Sequence, residues 1–284
     1  MKRVVVLAKQ VPDTANISGS AMKEDGTVNR AALPAVFNPE DMHALECALT
    51  VKDKTGAEVI VVTMGPPKAV EILKQSLYMG ADKVFLVTDR RFAGADTLAT
   101  SYVLAAVIQK IGAVDLVVAG RQAIDGDTAQ VGPQVAEKLG YAQITYVDAL
   151  KEVHDDRLVV VRDAEYAEEV ITVHMPALLT ITENANTPRY PSARNMLRWF
   201  KADIASSFAE SERENAYKKG IVIPVLTLDD LGVDPERCGL KGSPTKVHAI
   251  KNIQLTGGEL QLFDTEPTSI QELVHEIMKD YVEV

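Results

Sequence analysis

The run RVVVLA at residues 3–8 is a short, uninterrupted block of β-branched and aliphatic side chains. Runs of the same kind return three times, as EVIVVTM (58–64), KVFLVT (83–88) and DLVVAG (115–120). Continuous rather than alternating runs are typical of parallel strands that are covered on both faces. We therefore predict four strands of a buried parallel sheet.

The segments between these runs have the spacing of helices, which cross from one parallel strand to the next. The first follows Asn38-Pro39, a favourable pair for a helix start, and Gly80, Gly112 and Gly140 follow three others, where a left-handed terminator is expected. The predicted helices are 41–54, 66–78, 95–111 and 129–139. A βαβαβαβα order predicts a doubly wound α/β sheet.

The second half of the chain has a different pattern. DRLVVVRD (156–163) and EEVITVH (168–174) alternate and predict a small antiparallel addition, while ALLTITE (177–183) predicts a strand that returns to the main sheet. From residue 184 the pattern becomes irregular, and we expect a mobile loop.

The predicted division of the chain is a domain over 1–200, including the loop 184–200, and a linker with a carboxy-terminal arm over 201–284. The last sixty or so residues contain little apolar material, so we expect the arm to pack on another subunit.

Composition excludes several classes of protein. The 284 residues contain 40 acidic and 30 basic side chains, a formal charge of −10, which argues against a nucleic-acid partner. Cys47 and Cys238 form no C-x-x-C motif, so we expect neither a metal site nor a disulfide, and a reducing cytoplasm fits best. The apolar run at the amino terminus is too short for a signal peptide or a membrane span.

The richest polar segment, GRQAIDGDTAQVGPQ (120–134), follows a predicted strand and opens a helix. Ligands of open α/β sheets bind at this edge, and backbone N–H groups at a helix start can hold a phosphate, with help from Thr128 and Gln130. The alternative is a polar helix cap formed by Asp127 and Thr128. The segment has neither a P-loop nor a G-x-G-x-x-G dinucleotide motif.

Three other strand ends meet the same edge, at residues 8–13, 64–67 and 88–97. Arg90 and Arg91 can pair with phosphate or with the edge of a flavin ring, although an ordinary solvated pair is the alternative. The chain has no G-x-S-x-G or H-E-x-x-H motif and no Cys-His pair on one loop, and we name no catalytic residue. A fold with several nucleotide-binding loops and few acid–base residues indicates a protein that binds a reactive cofactor.

Five blocks, in order, resemble the β subunit of electron transfer flavoprotein: VLAKQVPDT, NPEDMHALECAL, VTMGPP, GADKVFLVTDRRFAGADTLAT and GRQAIDGDTAQVGPQVAEKLG. The resemblance covers residues 1 to about 200, and PRYPSARNM (188–196) matches the family's recognition loop. It implies an adenine-nucleotide-hydrolase-like, Rossmann-like fold and a heterodimer with an α subunit that holds its own FAD. It also implies an adenine nucleotide bound by this chain.

Two subtypes of the family differ in that nucleotide, which is structural AMP in the ordinary type and a second FAD in the electron-bifurcating type of anaerobes. DRRFAGADTLAT (89–100) and GSPTK (242–246) resemble the bifurcating type. That resemblance implies that NADH gives a hydride to this FAD. One electron would go to ferredoxin or flavodoxin, and the other to the α-subunit FAD and then to an acyl-CoA dehydrogenase or similar flavoenzyme.

The resemblance and the strand-end loops together give the candidate site. Candidate partner-recognition residues are Arg189, Tyr190, Ala193, Arg194 and Trp199; Ala193 stands where the AMP type has a leucine anchor, so the docking partner is expected to be atypical. The candidate cofactor-binding residues are Ala8, Asn38, Pro39, Glu40, Asp41, Met64, Gly65, Arg90, Phe92, Ala93, Gly94, Ala95, Asp96, Thr97, Asp125, Gly126, Asp127, Thr128, Ala129, Gln130, Val131, Gly132, Pro133, Gln134, Val135 and Ala136.

Alternatives remain open at this point. The first is the AMP-binding, purely electron-carrying subtype. The second, from another class, is an ATP-binding stress-response or signalling module, although its glycine-rich phosphate loop is not visible. A synthetase of the ATP-pyrophosphatase kind would need S-G-G-x-D-S after the first strand, where VLAKQVPDT stands.

Overall fold

The computed structural model describes residues 1–13, 34–245 and 261–282. The chain divides into a first unit that ends at residue 248 and a second that begins at residue 249. The described part of the second unit contains one long helix, and the other elements belong to the first unit.

The described residues form the following strands. They are β1 (Arg3–Leu7), β2 (Gln10–Pro12), β3 (Ala35–Phe37), β4 (Glu58–Met64), β5 (Lys83–Val87), β6 (Leu116–Gly120), β7 (Ala142–Val153), β8 (Arg157–Asp163), β9 (Glu168–His174), β10 (Ala177–Ile181), β11 (Asp203–Ile204), β12 (Val222–Ile223) and β13 (Val225–Leu226).

The same parts of the chain form the following α-helices. They are α1 (Pro39–Thr55), α2 (Val70–Met79), α3 (Thr97–Ile111), α4 (Val131–Leu139), α5 (Ala193–Trp199), α6 (Glu210–Lys218), α7 (Leu228–Leu231) and α8 (Pro267–Val282).

The main sheet has nine strands in the order β13-β5-β4-β1-β6-β10-β7-β8-β9. Pairing is parallel from β13 to β7 and antiparallel from β7 to β9. Strand β1 lies between β4 and β6, so the chain builds the sheet outward on one side of β1 and then on the other. The predicted doubly wound α/β sheet with a small antiparallel addition is therefore confirmed.

Both faces of the central parallel strands are buried, as the continuous apolar runs predict. Successive residues of a strand point to opposite faces: Val4 and Val6 join the core on the side of α1 and α2, whereas Val5 and Leu7 join the core on the side of α3 and α4. Because all four side chains are buried, β1 needs apolar residues at each position from Val4 to Leu7.

The predicted helices form, with small shifts at their starts. Helix α1 begins at Pro39, α3 at Thr97 and α4 at Val131, while α2 is preceded by a 3-10 turn at Pro67–Ala69. Glycines follow α2, α3 and α4 as predicted, with φ values of 126° at Gly80, 101° at Gly112 and 67° at Gly140, but only Gly140 has the expected left-handed helical conformation.

Strands β8, β9 and β10 agree with the prediction, and β7 does not. The antiparallel pair β8–β9 and the return of β10 to the main sheet are confirmed, but β7, the longest strand in the described residues, was not predicted; it pairs with both β10 and β8. Its register shifts on both sides, and Tyr146 has a φ of 58°. The bulge breaks the period-two pattern by which a strand is predicted.

The segment after residue 184 is more ordered in secondary structure than the irregular loop we expected. It contains α5 and α6, and β13 extends the main sheet beside β5. Residues 201–245 thus belong to the first unit, and the boundary at residue 248 lies well beyond the predicted boundary at 200. Packing of the arm on another subunit stays a prediction, and Lys246 of GSPTK lies outside the described residues.

Candidate functional site

A cavity of about 890 Å³ lies at the carboxyl ends of the central strands, where the ends of β1 and β6 are adjacent. Its size falls near the upper end of the roughly 300–1,000 Å³ typical of small-molecule sites. The position is the switch point at which open α/β sheets bind their ligands. The lining residues are Leu7, Ala8, Lys9, Asp41, Val62, Met64, Gly65, Pro66, Pro67, Val87, Thr88, Asp89, Arg90, Phe92, Ala93, Gly94, Ala95, Asp96, Thr97, Thr100, Leu104, Ala119, Gly120, Arg121, Gln122, Ala123, Asp125, Gly126, Asp127, Thr128, Ala129, Gln130, Val131, Gly132 and Thr245.

The first turn of α1 joins the two central strands. The buried carboxylate of Asp41 accepts hydrogen bonds from the backbone N–H of Lys9, at 2.8 Å, and of Gly120, at 3.0 Å. Contact at Gly120 is so close that a Cβ there would lie 2.5 Å from Oδ1 of Asp41. Glycine is therefore required at the end of β6, and Asp41 fixes the floor of the cavity.

The neighbouring side chains of α1 hold the backbone that follows β6. Glu40 accepts hydrogen bonds from the Gln122 N–H at 2.8 Å and from Nη2 of Arg121 at 2.6 Å. Asn38, which is fully buried, accepts from the Ile124 N–H at 3.1 Å and donates to the Gln122 carbonyl at 2.8 Å. We call Asn38–Asp41 together with residues 120–124 the inner wall.

Burial controls the charge of Asp41. Desolvation raises the pKa of this carboxyl to about 7, although hydrogen bonds from Lys9, Asn38 and Gly120 oppose the shift. A carboxyl that titrates near neutrality therefore lies on the floor of the cavity.

Residues 125–130, the phosphate loop of the predicted site, follow the inner wall. Asp125 pairs with Nζ of Lys9 at 2.7 Å, and Asp127 accepts a hydrogen bond from Nε2 of Gln122 at 3.0 Å. Asp127 and Ala129 have φ values of 48° and 51°. Each such non-glycine residue costs on the order of 1–3 kcal/mol, and strain of this kind clusters at functional sites.

The alternative that Asp127 and Thr128 cap a helix is wrong. Helix α4 begins at Val131 with Gln130 at the cap position, and no side chain caps it in the described structure. The first N–H groups of a helix need partners, so this start is suited to an anionic ligand.

The loop of residues 88–97, which we call the rim loop, forms the opposite wall. Arg90 lines the cavity, but Arg91 does not. Arg91 pairs instead with Asp89 at 2.6 Å and with Asp229 at 2.9 Å. Hydrogen bonds from Arg91 hold the pKa of Asp89 far below its usual range.

Most of the candidate cofactor residues surround the cavity, and seven do not. Asn38, Pro39 and Glu40 belong to the inner wall but are not among the residues that line the cavity. Gln134 bonds to Thr97 and Ser101 between α3 and α4. Pro133, Val135 and Ala136 are also absent from the cavity wall, and the last two are core residues.

Several lining residues were not among the candidates, notably Lys9, Thr100, Arg121, Gln122 and Thr245. Lys9 and Arg121 follow predicted strands directly, so their position at strand ends was the available signal. Thr245 follows no predicted strand, and its only signal was the resemblance of GSPTK (242–246) to the bifurcating type.

The lining suits a nucleotide cofactor. Arg121 of the inner wall lines the cavity, and its guanidinium, which pairs with Glu40 through Nη2, is of the type that binds anionic oxygens; its buried Nε has no hydrogen-bond partner in the described residues. The uncapped start of α4 faces the same cavity through Gln130, Val131 and Gly132. Apolar side chains from the ends of β1, β4 and β5 complete a surface suited to a planar ring.

The candidate recognition residues divide into two groups. Arg189 is tied to α1, because it pairs with Glu46 at 2.8 Å and with Asp53 at 2.8 Å, and Trp199 packs against the core. Tyr190, Ala193 and Arg194 are exposed. Leu197 and Phe200 were not among the candidates, but their side chains are also exposed, that of Leu197 to 83%.

These observations define the class of the protein: it is a doubly wound α/β protein with a ligand cavity at the switch point of its sheet. Residues 25–208 match the electron transfer flavoprotein domain. Over 246 residues the chain is 46% identical to the caffeyl-CoA reductase-Etf complex subunit CarD of Acetobacterium woodii, with 86% of each chain covered.

Two further relatives agree with this match. The electron transfer flavoprotein subunit beta of Clostridium acetobutylicum is 45% identical, with 89% of each chain covered. The acryloyl-CoA reductase electron transfer subunit gamma of Anaerotignum propionicum is 39% identical, with 99% of each chain covered. The chain therefore belongs to the electron transfer flavoprotein family, as a β-type subunit whose role is electron transfer. Among the helices in the described ranges, none is both long and apolar enough to span a membrane.

Proposed function

We propose that the chain is the β subunit of an electron-bifurcating electron transfer flavoprotein, that its switch-point cavity binds FAD, and that NADH is the hydride donor. When bound, FAD would accept a hydride from NADH and pass single electrons to ferredoxin or flavodoxin and to the FAD of an α subunit. The second electron then reaches an acyl-CoA dehydrogenase-like flavoenzyme.

The extent of the cavity supports the choice of FAD in this proposal. It runs from the phosphate loop and the start of α4 to the rim loop, and both ends contribute to one lining of about 890 Å³. An adenine mononucleotide would need the phosphate end alone, whereas a dinucleotide with a flavin would also use the rim. The continuous space therefore favours FAD over AMP.

The residues of this chain have separate parts in the proposed binding. The phosphate loop and the first N–H groups of α4 bind the phosphates, and Arg121 offers a further cationic group. Arg90 and Phe92 of the rim loop contact the flavin end. Asp41, Glu40 and Asn38 hold the backbone at the ends of β1 and β6 in place.

The names of the relatives support the proposed partners. Two of them belong to caffeyl-CoA and acryloyl-CoA reductase systems, which favours a flavoenzyme partner that acts on a CoA thioester. The exposed side chains of loop 184–200 offer an arginine and apolar anchors, the residue types enriched at binding hot spots. We propose that this loop docks the dehydrogenase and that the arm after residue 224 packs on the α subunit.

Nucleotide content tests the proposed function. The heterodimer, purified with its α subunit, should release two FAD and no AMP on acid extraction, and NADH should bleach its flavin absorbance. One FAD with one AMP would identify the AMP-binding subtype, and ATP without flavin would identify the signalling class. Either result contradicts the proposal.

The phosphate loop has its own test. Thr128→Glu places a negative charge on an exposed residue of the cavity wall and should remove this chain's FAD while the α-subunit FAD remains. Thr128→Gln is the matched control, since it has the same size without the charge and should keep two FAD. Loss of FAD in both variants, or in neither, would contradict binding of phosphate at this loop.

Docking is tested on exposed side chains, because Trp199 packs on the core and its replacement would disturb folding. Arg194→Ala with Leu197→Ala should slow electron delivery to the dehydrogenase and leave bleaching of the flavin by NADH unchanged. Stopped-flow bleaching and steady-state turnover separate the two steps. A parallel decrease in both would show that the loop has no dedicated docking role.

A further inference from the structure

A segment near the carboxyl end of the first unit, residues 238–245, runs behind the rim loop. The Leu240 N–H donates to the Ala93 carbonyl at 3.0 Å, and a Cβ added at Gly94 would lie 3.4 Å from Cβ of Leu240. At Gly239, where φ is 56°, an added Cβ would meet the Arg91 carbonyl oxygen. The rim loop therefore takes its shape from this segment as well as from its own short 3-10 turn.

Ser243 makes the second contact. Its side chain is buried, accepts a hydrogen bond from the Asp96 N–H at 2.8 Å and donates to the Gly239 carbonyl at 2.7 Å. The Ser243 hydroxyl thus links Gly239 of the segment to Asp96, the last residue before α3.

Thr245 makes the third contact and also lines the cavity. Its N–H and its hydroxyl both donate to Oδ2 of Asp96, at 3.1 and 2.8 Å, while Oδ1 of Asp96 caps α3 through the Ala99 N–H at 3.0 Å. Burial would raise the pKa of Asp96, but these hydrogen bonds outweigh it and the pKa is lowered. Asp96 is therefore an ionised carboxylate at neutral pH that joins α3, the rim loop and the segment.

We propose that Ser243 and Thr245 are positioning residues that fix the rim loop through Asp96 and thereby select a dinucleotide over a mononucleotide in the cavity. This inference rests on the proposed function. No residue of the inner wall or of residues 125–130 bonds to Asp96 in the described structure, and the rim loop meets the phosphate loop through the neighbouring Thr97, which donates to Gln130 at 3.0 Å. Loss of the Asp96 contacts should therefore affect the flavin end of the ligand and leave the phosphate end in place.

The test uses the heterodimer with its α subunit, freed of this chain's nucleotide and titrated separately with FAD and with AMP. Thr245→Val and Ser243→Ala each remove a hydroxyl and should weaken FAD binding about tenfold or more, because a hydrogen bond in a charged network is lost. AMP binding should change less than about twofold. Amide hydrogen exchange of residues 89–97 should accelerate in the same variants.

Two controls separate positioning from general damage. Thr245→Ser keeps the hydroxyl and should retain most of the FAD affinity and the slow exchange. Ser207→Ala removes a hydroxyl that donates to Asp203, outside the cavity, and should change neither.

The outcomes are distinct. If FAD and AMP weaken equally, or if neither FAD binding nor exchange changes, the inference is overturned while a two-FAD wild type still supports the proposed function. A wild-type heterodimer that holds AMP in place of the second FAD contradicts the proposed function itself, and the claim of selection is overturned with it.

Discussion

The inner wall and the rim loop bound the same cavity but are built from different interactions. In the inner wall, buried side chains of α1 bond to backbone N–H groups of β1, β6 and the following residues. In the rim loop, the pair between Arg91 and Asp229 is largely exposed, with side-chain exposures of 44% and 77%. Buried donors are costly to leave unpaired, whereas exposed ion pairs contribute little. We therefore expect the inner wall to determine stability and the rim loop to determine ligand choice.

The largest effect should follow removal of the Asp41 carboxylate. Asp41→Ala leaves the N–H groups of Lys9 and Gly120 without their acceptor, and each unpaired buried donor costs about 1–3 kcal/mol. We expect the free energy of unfolding to fall by about 2–6 kcal/mol, measured by urea unfolding of the purified protein.

Asp41→Asn is the control for this change. It keeps one acceptor oxygen and the side-chain volume, so it should cost clearly less than the alanine variant. An alanine variant as stable as the wild type would remove the basis for the difference between the two walls.

The pH dependence of stability should identify the same carboxyl. Its pKa is about 7 in the folded protein against an ordinary value of 3.8. Between these values the unfolded chain has released the proton and the folded chain retains it, so this group favours folding fully below pH 4 and its contribution falls as pH rises to 7. The loss is about 1.4 kcal/mol per pH unit.

The comparison with Asp41→Asn isolates this contribution, because asparagine does not titrate. From pH 5 to pH 7 the wild type should lose stability relative to the variant, and above pH 7 the difference should become constant. Parallel stability curves over this range would mean that the carboxyl is ionised throughout.

A smaller change in the inner wall should follow Glu40→Gln. The amide retains one acceptor for two donors, the Gln122 N–H and Nη2 of Arg121. Because Arg121 is partly exposed and water can replace one bond, we expect a loss of about 1–2 kcal/mol. Urea unfolding measures it, and a loss as large as that of Asp41→Ala would mean that water does not replace the lost bond.

The elements that could be predicted from the sequence are those with a regular hydrophobic pattern. The runs at β4 and β9 gave both strand ends correctly, because an apolar run or an alternation shows directly which faces are covered. In β7 the bulge at Tyr146 interrupts the alternation, so no local pattern marked the longest strand.

The candidate site divides in the same way. Strand-end residues such as Met64 and Asp125 could be predicted, because parallel strands bring their carboxyl ends to one edge. Thr245 reaches Asp96 from 149 positions away in the chain, and only the folded chain shows this contact. The sequence also did not distinguish Arg91, which pairs with two carboxylates, from Arg90, which lines the cavity.

The smallest effect on stability, and the sharpest test of the comparison, should come from Asp229→Ala in the rim contacts. Arg91 keeps its bonds to Asp89 and loses one exposed partner, and exposed pairs of this kind often contribute nothing measurable. We expect no measurable change in urea unfolding but faster amide exchange at residues 89–92, because Asp229 connects this end of the loop to α7. A large loss of stability would show that the rim loop is part of the folding core, and the difference between the two walls would then disappear.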